Sequence, residues 1–176
     1  MYSKNLIILS MLNFRKLAAL TTVGLLLAAC TTDGGVDDMS SGMQNQSSLP
    51  AVSGEKGSKP NISAPTGSAP STLAIKEIFI GSGAEAVATS TLEVHYTLMA
   101  WSSGQLVESS WDSGKTATFP LSGVIQGWQL GIPGMKEGGR RLLVIPPDLG
   151  YGAQGAGGAI GPNETLIFVV DLIKVI

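Results

Sequence analysis

The most regular hydrophobic pattern in the chain is the alternation between Leu92 and Leu98. Apolar side chains occupy every second position there, with polar side chains between them, which is the period of a strand with one buried face. Partly alternating or short apolar runs predict further strands at 73–80, 105–110, 116–121 and 140–145. The last run, 165–176, is almost continuously apolar, which predicts a central strand buried on both faces.

One short helix is predicted over residues 127–132. Gly127 breaks the preceding extended run, Trp128 stands in the first turn, and Pro133 ends the helix because it has no N–H and its ring clashes with the turn before it. A helix of less than two turns is not stable alone in water. We therefore expect the strands to wrap around it, with Trp128 inside the curve. Mostly antiparallel strands with one helix predict an α+β domain.

The front of the chain has the pattern of a targeting segment. Two basic residues precede an apolar run, 17–29, that is too short to span a bilayer but suits the centre of a signal peptide. The run ends at Cys30 in a pattern that resembles the bacterial lipobox, in which the cysteine is lipidated and becomes the mature N-terminus. We expect residues 1–30 to be a lipoprotein signal with Cys30 as its lipidation site. The alternative is a simple N-terminal anchor helix with an incidental cysteine.

Residues 31–70 are rich in Ser, Gly and Pro and contain no Trp, Tyr or Phe. Such a composition buries too little apolar surface to offset the entropy of ordering the chain. We therefore expect a flexible linker over 31–70 and one folded domain over 71–176, which is an ordinary size for a small domain.

Charge and composition argue against several functions. The formal net charge is −2, and the chain has no basic stripe, so a nucleic-acid partner is not expected. His95 is the only histidine and Cys30 the only cysteine. Neither a Ser-His-Asp triad nor a zinc site with three or four ligands is therefore supported. His95 falls on the polar face of its strand, where a solvated or locally hydrogen-bonded residue is expected. We expect no metal and no cofactor.

An apolar and aromatic concavity remains as the candidate site. Its members are Tyr96, Val124, Ile125, Trp128, Tyr151, Ile160 and Phe168. Each aromatic residue taken alone is more often part of a core than of a site, but the combination is more informative. A buried tyrosine hydroxyl needs a partner, and Tyr151 opens a glycine-rich loop where an aromatic ring has little core to join.

Six motifs resemble those of the FKBP-type peptidyl-prolyl cis/trans isomerases. In chain order they are Val94-His-Tyr-Thr97, Val124-Ile-Gln-Gly-Trp128, Gly134-Met-Lys-Glu-Gly138, Ile145-Pro-Pro-Asp148, Tyr151-Gly152 and Ile160-Gly-Pro-Asn-Glu-Thr-Leu166. The resemblance covers 73–176. It implies the family fold, a half-barrel antiparallel sheet wrapped around one short helix, which agrees with the strand and helix pattern above.

The resemblance also implies roles for individual residues. Trp128 would floor the pocket for the proline ring, and the Ile125 N–H and the Tyr151 hydroxyl would bind carbonyls of the peptide. The implied catalytic set is Tyr96, Glu108, Ile125, Trp128, Tyr151 and Phe168. The implied substrate-binding residues are Val107, Val124 and Ile160. Rotation about an imide bond needs no nucleophile, which suits a chain without a conventional catalytic set.

Five positions depart from the family pattern: Val107, Glu108, Ala117, Ala156 and Ala159. Glu108 stands where the family usually has Asp, and the other four are smaller than the usual residues, which predicts a trimmed rim around an intact floor. The loop 151–160 is too short for a chaperone insert. The composition of 31–70 does not suit a long dimerisation helix, so a monomer is expected.

Together these features predict a membrane-tethered isomerase that faces the periplasm in the cell envelope. Its partners would be proline-containing segments of client proteins, with the membrane contacted through the lipid anchor alone. Thr31 after Cys30 favours the outer membrane. Two alternatives remain: a peptide-binding or holdase module with little isomerase activity, and a structural surface lipoprotein.

Overall fold

The computed structural model describes residues 49–176. Its strands and helix are β1 Val52–Ser53, β2 Asn61–Ile62, β3 Ala74–Phe79, β4 Thr91–Ala100, β5 Leu106–Ser109, β6 Ala117–Pro120, α1 Gln126–Gly131, β7 Arg140–Ile145 and β8 Leu166–Val175. Strands β3 to β8 form one antiparallel sheet in the order β3-β7-β8-β4-β5, with β6 also paired to β4. The predicted α+β class, an antiparallel sheet around one short helix, is confirmed.

Strand β8 lies at the centre of the sheet, as its continuous apolar pattern predicts. It pairs with β7 on one side and with β4 on the other. Every residue from Leu166 to Leu172 is buried. The reason is that one face of the sheet, here called the inner face, packs around α1, while the opposite outer face also carries a cover.

The sheet curves around α1 because two short strands share one long partner. The first half of β4 pairs with β6 and its second half with β5. The register shifts between Glu93 and Val94 against β8, and between Leu98 and Met99 against β5. Irregularities of this kind bend a strand and increase its twist. The inner face therefore closes over α1, and the larger apolar cluster fills the space between them.

Two glycines let α1 lie directly against β7. A Cβ atom at Gly127 would come within 2.4 Å of the Ile145 side chain, and one at Gly131 within 2.8 Å of the Leu143 side chain. A larger residue at either position would push the helix away from the strand. The placement of α1 in the curve of the sheet thus depends on these two glycines.

The prediction of a flexible linker over 31–70 does not hold for residues 49–63, which are ordered against the sheet. Strands β1 and β2 pair as a hairpin, with Val52 opposite Ile62. We call residues 49–63 the outer strap, because they pack on the outer face of the sheet. The strap and its neighbours bury the outer-facing side chains Met99, Leu142, Val144, Ile167 and Val169. Residues 1–30 and 31–48, with the predicted signal and the rest of the linker, lie outside the described residues.

Polar contacts fasten the outer strap at two points. The carbonyl oxygen of Ser58 accepts a hydrogen bond from Arg140 on β7, and the Lys59 ammonium pairs with the Asp112 carboxylate in the turn after β5. Arg140 also donates from Nε to Asp171 on β8 at 2.8 Å, and both side chains are buried. The strap therefore crosses the sheet from β7 to the turn after β5, on the face opposite α1.

Candidate active site

Neighbouring strands place Tyr96 and Phe168 side by side on the inner face. In β4 and β8 alternate residues point to the same face, and the register sets Leu98 opposite Phe168 and Tyr96 opposite Val170. The two rings are completely buried, with centroids 6.4 Å apart. They form one wall of the space that α1 occupies.

Trp128, in the first turn of α1, lies among three aromatic rings. Its indole meets the ring of Phe168 at 5.4 Å, and the rings of Tyr96 and Phe119 at 6.1 Å each, always close to edge-on. This is the arrangement that aromatic quadrupoles favour. The indole Nε1 is buried and finds no hydrogen-bond partner within residues 49–176. Packing alone therefore holds the indole in place.

Ile125 presents a backbone donor at the start of α1. Its carbonyl oxygen accepts hydrogen bonds from the N–H groups of Trp128 and Gln129 at 3.0 and 3.2 Å. The Ile125 N–H itself donates to no other backbone group in the described part of the chain. The preceding residue is fixed as well, because the Gln129 side chain donates to the Val124 carbonyl at 2.7 Å. The donor is thus held rigidly beside Trp128.

The loop after β7 carries Tyr151 and Ile160. Paired backbone hydrogen bonds of 3.0 Å join Ala156 and Ile160 and close the loop. Gly155 permits this closure, because its φ is +64° and a Cβ there would lie 2.2 Å from the Ile160 carbonyl oxygen. Ile160 is buried in the larger apolar cluster, and Tyr151 packs against that cluster. The Tyr151 hydroxyl is buried and has no hydrogen-bond partner among the described residues.

Glu108 on β5 is the acidic neighbour of both tyrosines. Burial raises the pKa of the Tyr96 hydroxyl, and the nearby Glu108 carboxylate raises it further. Burial and the same carboxylate also raise the pKa of Tyr151. Both hydroxyls consequently stay protonated well above neutral pH and serve as neutral donors. The adjacent Val107 is half-buried and packs against the same cluster.

The structure brings the nine predicted site residues of the folded domain together on the inner face. Sequence reasoning missed Phe119, whose ring contacts both Trp128 and Tyr96. The signal was available in the strand predicted at 116–121, where Ala117 and Phe119 alternate with exposed residues. Cys30, the predicted lipidation site, lies outside the described residues.

The remaining sequence predictions concern His95 and metal binding. His95 is locally bonded, as expected: its Nδ1 lies 2.9 Å from the Ser110 hydroxyl, and its ring stacks on Trp111 at 3.9 Å. Across residues 49–176 no group of three or more His, Cys, Asp or Glu side chains is arranged to hold a metal ion. In the same range no helix is long and apolar enough to cross a membrane.

Comparison with known proteins gives a consistent family. The family model described as FKBP-type peptidyl-prolyl cis-trans isomerase matches residues 83–173. A probable FK506-binding protein of Corynebacterium glutamicum is 50% identical over 116 residues, which are 66% of this chain and 98% of that protein. An FK506-binding protein of Streptomyces anulatus is 49% identical over 120 residues, covering 66% of this chain and 97% of its own length.

A solved structure agrees with these relatives. The crystal structure of a peptidyl-prolyl cis-trans isomerase from Pseudomonas syringae pv. tomato matches with a TM-score of 0.54 and 34% identity. The match covers 58% of this chain and 74% of that one. Since sequence and fold agree, this chain belongs to the FKBP-type peptidyl-prolyl cis-trans isomerase family.

Proposed function

We propose that the chain isomerises peptide bonds before proline in client proteins outside the cytoplasm, using the aromatic pocket of the inner face. The observation that carries the proposal is the environment of Trp128, which lies among three aromatic rings. The site also holds one backbone donor, the N–H of Ile125, and one side-chain donor, the hydroxyl of Tyr151. An apolar floor of this kind suits a proline ring. The Ile125 N–H and the Tyr151 hydroxyl suit the carbonyl groups on either side of it.

The pocket's chemistry fits the reaction, because isomerisation makes and breaks no covalent bond. The barrier of ~18–20 kcal/mol arises from the loss of amide resonance as the bond twists. A site that binds the twisted imide more tightly than the planar one lowers this barrier. Exclusion of water helps, since the twisted imide has lost its charge separation and is less polar than the planar form.

The two donors would hold the peptide while the bond rotates. The Ile125 N–H is fixed by the start of α1, and the raised pKa of Tyr151 keeps its hydroxyl protonated as a donor. Tyr96, Glu108 and Phe168 would line the pocket, and Val107, Val124 and Ile160 would contact the flanking peptide. We expect these groups to orient the substrate without exchanging protons with it.

The predicted rim of the pocket carries small side chains, which make few contacts with a bound substrate. Small side chains stand in the loop at Ala156 and Ala159, so fewer apolar contacts reach beyond the proline ring. Ala117, also expected at the rim, is instead buried in the larger apolar cluster. Two relatives are named for FK506 binding. We expect this chain to bind that ligand more weakly than a family member with larger side chains at these positions.

We further propose that lipidated Cys30 tethers the protein, as a monomer, to the periplasmic side of the outer membrane. The support is the basic and apolar pattern that precedes Cys30. Replacing Cys30 with Ala should leave an unprocessed precursor, because lipidation and cleavage both depend on that residue. Mass spectrometry and membrane fractionation check this, and a cleaved, membrane-bound variant would exclude the lipid anchor.

The direct test of the activity is a protease-coupled assay with a proline-containing peptide on the chain from Leu49 onward. We expect a clear acceleration over the uncatalysed rate. The trimmed rim favours one competing function, a peptide-binding or holdase module with little catalysis. Suppression of client aggregation without any acceleration in the peptide assay would favour that function instead.

A further inference from the structure

Arg141 on β7 bonds to two other elements, the end of α1 and strand β3. Its Nη1 donates to the carbonyl oxygens of Gly131 at 2.6 Å, and of Ile132 and Pro133 at 3.2 Å each. Its Nε donates to the Glu77 carboxylate on β3 at 2.7 Å, and Nη2 also pairs with it. The Arg141 residue is only 7% exposed. One buried guanidinium therefore ties the end of α1 to β7 and β3.

The end of α1 has a physical need for this contact. The last carbonyl groups of a helix have no partner within the helix, and Pro133 has no N–H with which to extend it. The last turn of α1 contains no basic residue. A helix of six residues also gains little stability from its own hydrogen bonds. Arg141 supplies the missing donor from outside the helix.

Successive inward-facing residues of β7 hold α1 along its whole length. Ile145 lies against Gly127 and Leu143 against Gly131, and Arg141 binds the carbonyls where the helix ends. The glycines set how close the helix approaches, and Arg141 fixes the position of the helix along the strand. A shift of α1 along β7 would break the contacts of Arg141 first, because hydrogen bonds tolerate less displacement than apolar packing.

We propose that Arg141 is a positioning residue for the proline site, because it fixes α1 and thereby fixes Trp128. The Trp128 indole makes no hydrogen bond to any described residue, so its position depends on α1 and on the rings around it. Ile125 is the N-cap residue of the same helix, so its N–H moves with α1. The inference rests on the proposed roles of Trp128 and Ile125 in binding the proline segment.

The test compares Arg141→Met with two other variants in the full-length protein. Arg141→Lys restores one donor but cannot bridge the helix carbonyls and Glu77 together, so it should recover part of the function. The control is the double variant Arg140→Met with Asp171→Leu. It removes the buried arginine of the outer face together with its partner, so that no unpaired charge remains.

Two readouts are taken at a temperature where circular dichroism shows every variant folded. The first is kcat/KM on a proline peptide, which should fall roughly three- to tenfold in Arg141→Met and stay at the wild-type value in the control. The second is ¹⁹F NMR with 5-fluorotryptophan. The Trp128 resonance should move in Arg141→Met, while the resonances of Trp101 and Trp111 stay in place.

Wild-type kcat/KM together with an unmoved Trp128 resonance in Arg141→Met would overturn the proposal. So would a control variant that changes both readouts as much as Arg141→Met does. An inactive wild-type chain would instead contradict the proposed function. In that case the Trp128 resonance still decides whether Arg141 positions the helix.

Discussion

The two faces of the central sheet are both apolar and both buried, yet they differ in their polar groups. On the inner face the Tyr151 hydroxyl and the Trp128 indole nitrogen have no hydrogen-bond partner in the described chain. On the outer face Arg140 pairs with Asp171 and with the strap carbonyl of Ser58. Unpartnered polar atoms occur on both faces, since Arg140 Nη1 and Asp171 Oδ2 also lack a hydrogen-bond partner among the described residues. The difference is that the unpartnered groups of the inner face are neutral donors among aromatic rings, whereas those of the outer face belong to a buried ion pair.

The covers of the two faces also differ in kind. The inner face encloses α1 and the donor groups of Ile125 and Tyr151, whereas the outer face is closed by a strap from the same chain. The strap adds stability without adding any group that could contact a peptide in the pocket. Changes on the two faces should consequently separate stability from activity, as the following variants test.

The largest effect is expected for Trp128→Ala on the inner face. It removes a buried ring that packs against three other rings, which should cost roughly 3–5 kcal/mol of unfolding free energy. That is a large share of the total stability of a small domain. Urea denaturation checks the value. A loss below about 1 kcal/mol would mean that the ring is not part of the core.

On the outer face, Ile62→Ala should lower stability and leave catalysis intact. Ile62 is 7% exposed and packs on the sheet through the strap, so we expect a loss of about 2 kcal/mol, the low end for such a truncation. Urea denaturation and kcat/KM should be measured on one preparation. A fall in kcat/KM per folded molecule would show that the strap influences the pocket, against the separation of the two faces.

A change of one atom on the inner face should have the opposite effect, with lower activity and unchanged stability. Tyr151→Phe keeps the ring and deletes the hydroxyl, which has no partner within residues 49–176. If that hydroxyl binds a substrate carbonyl at ~0.5–1.5 kcal/mol, kcat/KM should fall roughly two- to twelvefold while Tm is unchanged. A lower Tm with unchanged kcat/KM would remove Tyr151 from the site.

The smallest effect is expected for Glu108→Asp, which introduces the residue usual in the family. The carboxylate is kept and its reach shortens by one methylene, so kcat/KM should change by no more than about threefold, which is under 1 kcal/mol. The urea concentration at the midpoint of unfolding should stay at the wild-type value. Abolished activity would assign Glu108 a specific catalytic contact that its position beside Tyr96 and Tyr151 does not explain.

Much of the inner face could be predicted from the sequence. The bounds of β7 follow from an apolar run that Pro146 ends, and the central position of β8 follows from its continuous apolar pattern. The six motifs that resemble the family locate most of the pocket residues between β4 and β8, because motifs on strands and on one helix keep a fixed relation in the fold. Most residues of the inner face are therefore predictable from the sequence alone.

The outer strap was not predicted, because its composition is that of a linker. Its ordered state depends on isolated apolar residues such as Val52 and Ile62. The burial of these residues can be predicted only when the outer face of the sheet is known to lack another cover. One signal was available: a strand like β8, apolar on both faces, requires a cover on each. Arg141 was missed for a similar reason, since no local pattern links a strand arginine to a distant helix end.

The central claim, that the inner face binds the proline segment, is tested most directly by NMR. A ¹⁵N-labelled chain starting at Leu49 is titrated with a proline-containing peptide. The amide of Ile125 and the indole N–H of Trp128 should shift most, and the amides of the outer strap at Val52 and Ile62 should stay in place. Shifts concentrated on the outer strap, with Ile125 and Trp128 unchanged, would contradict the account.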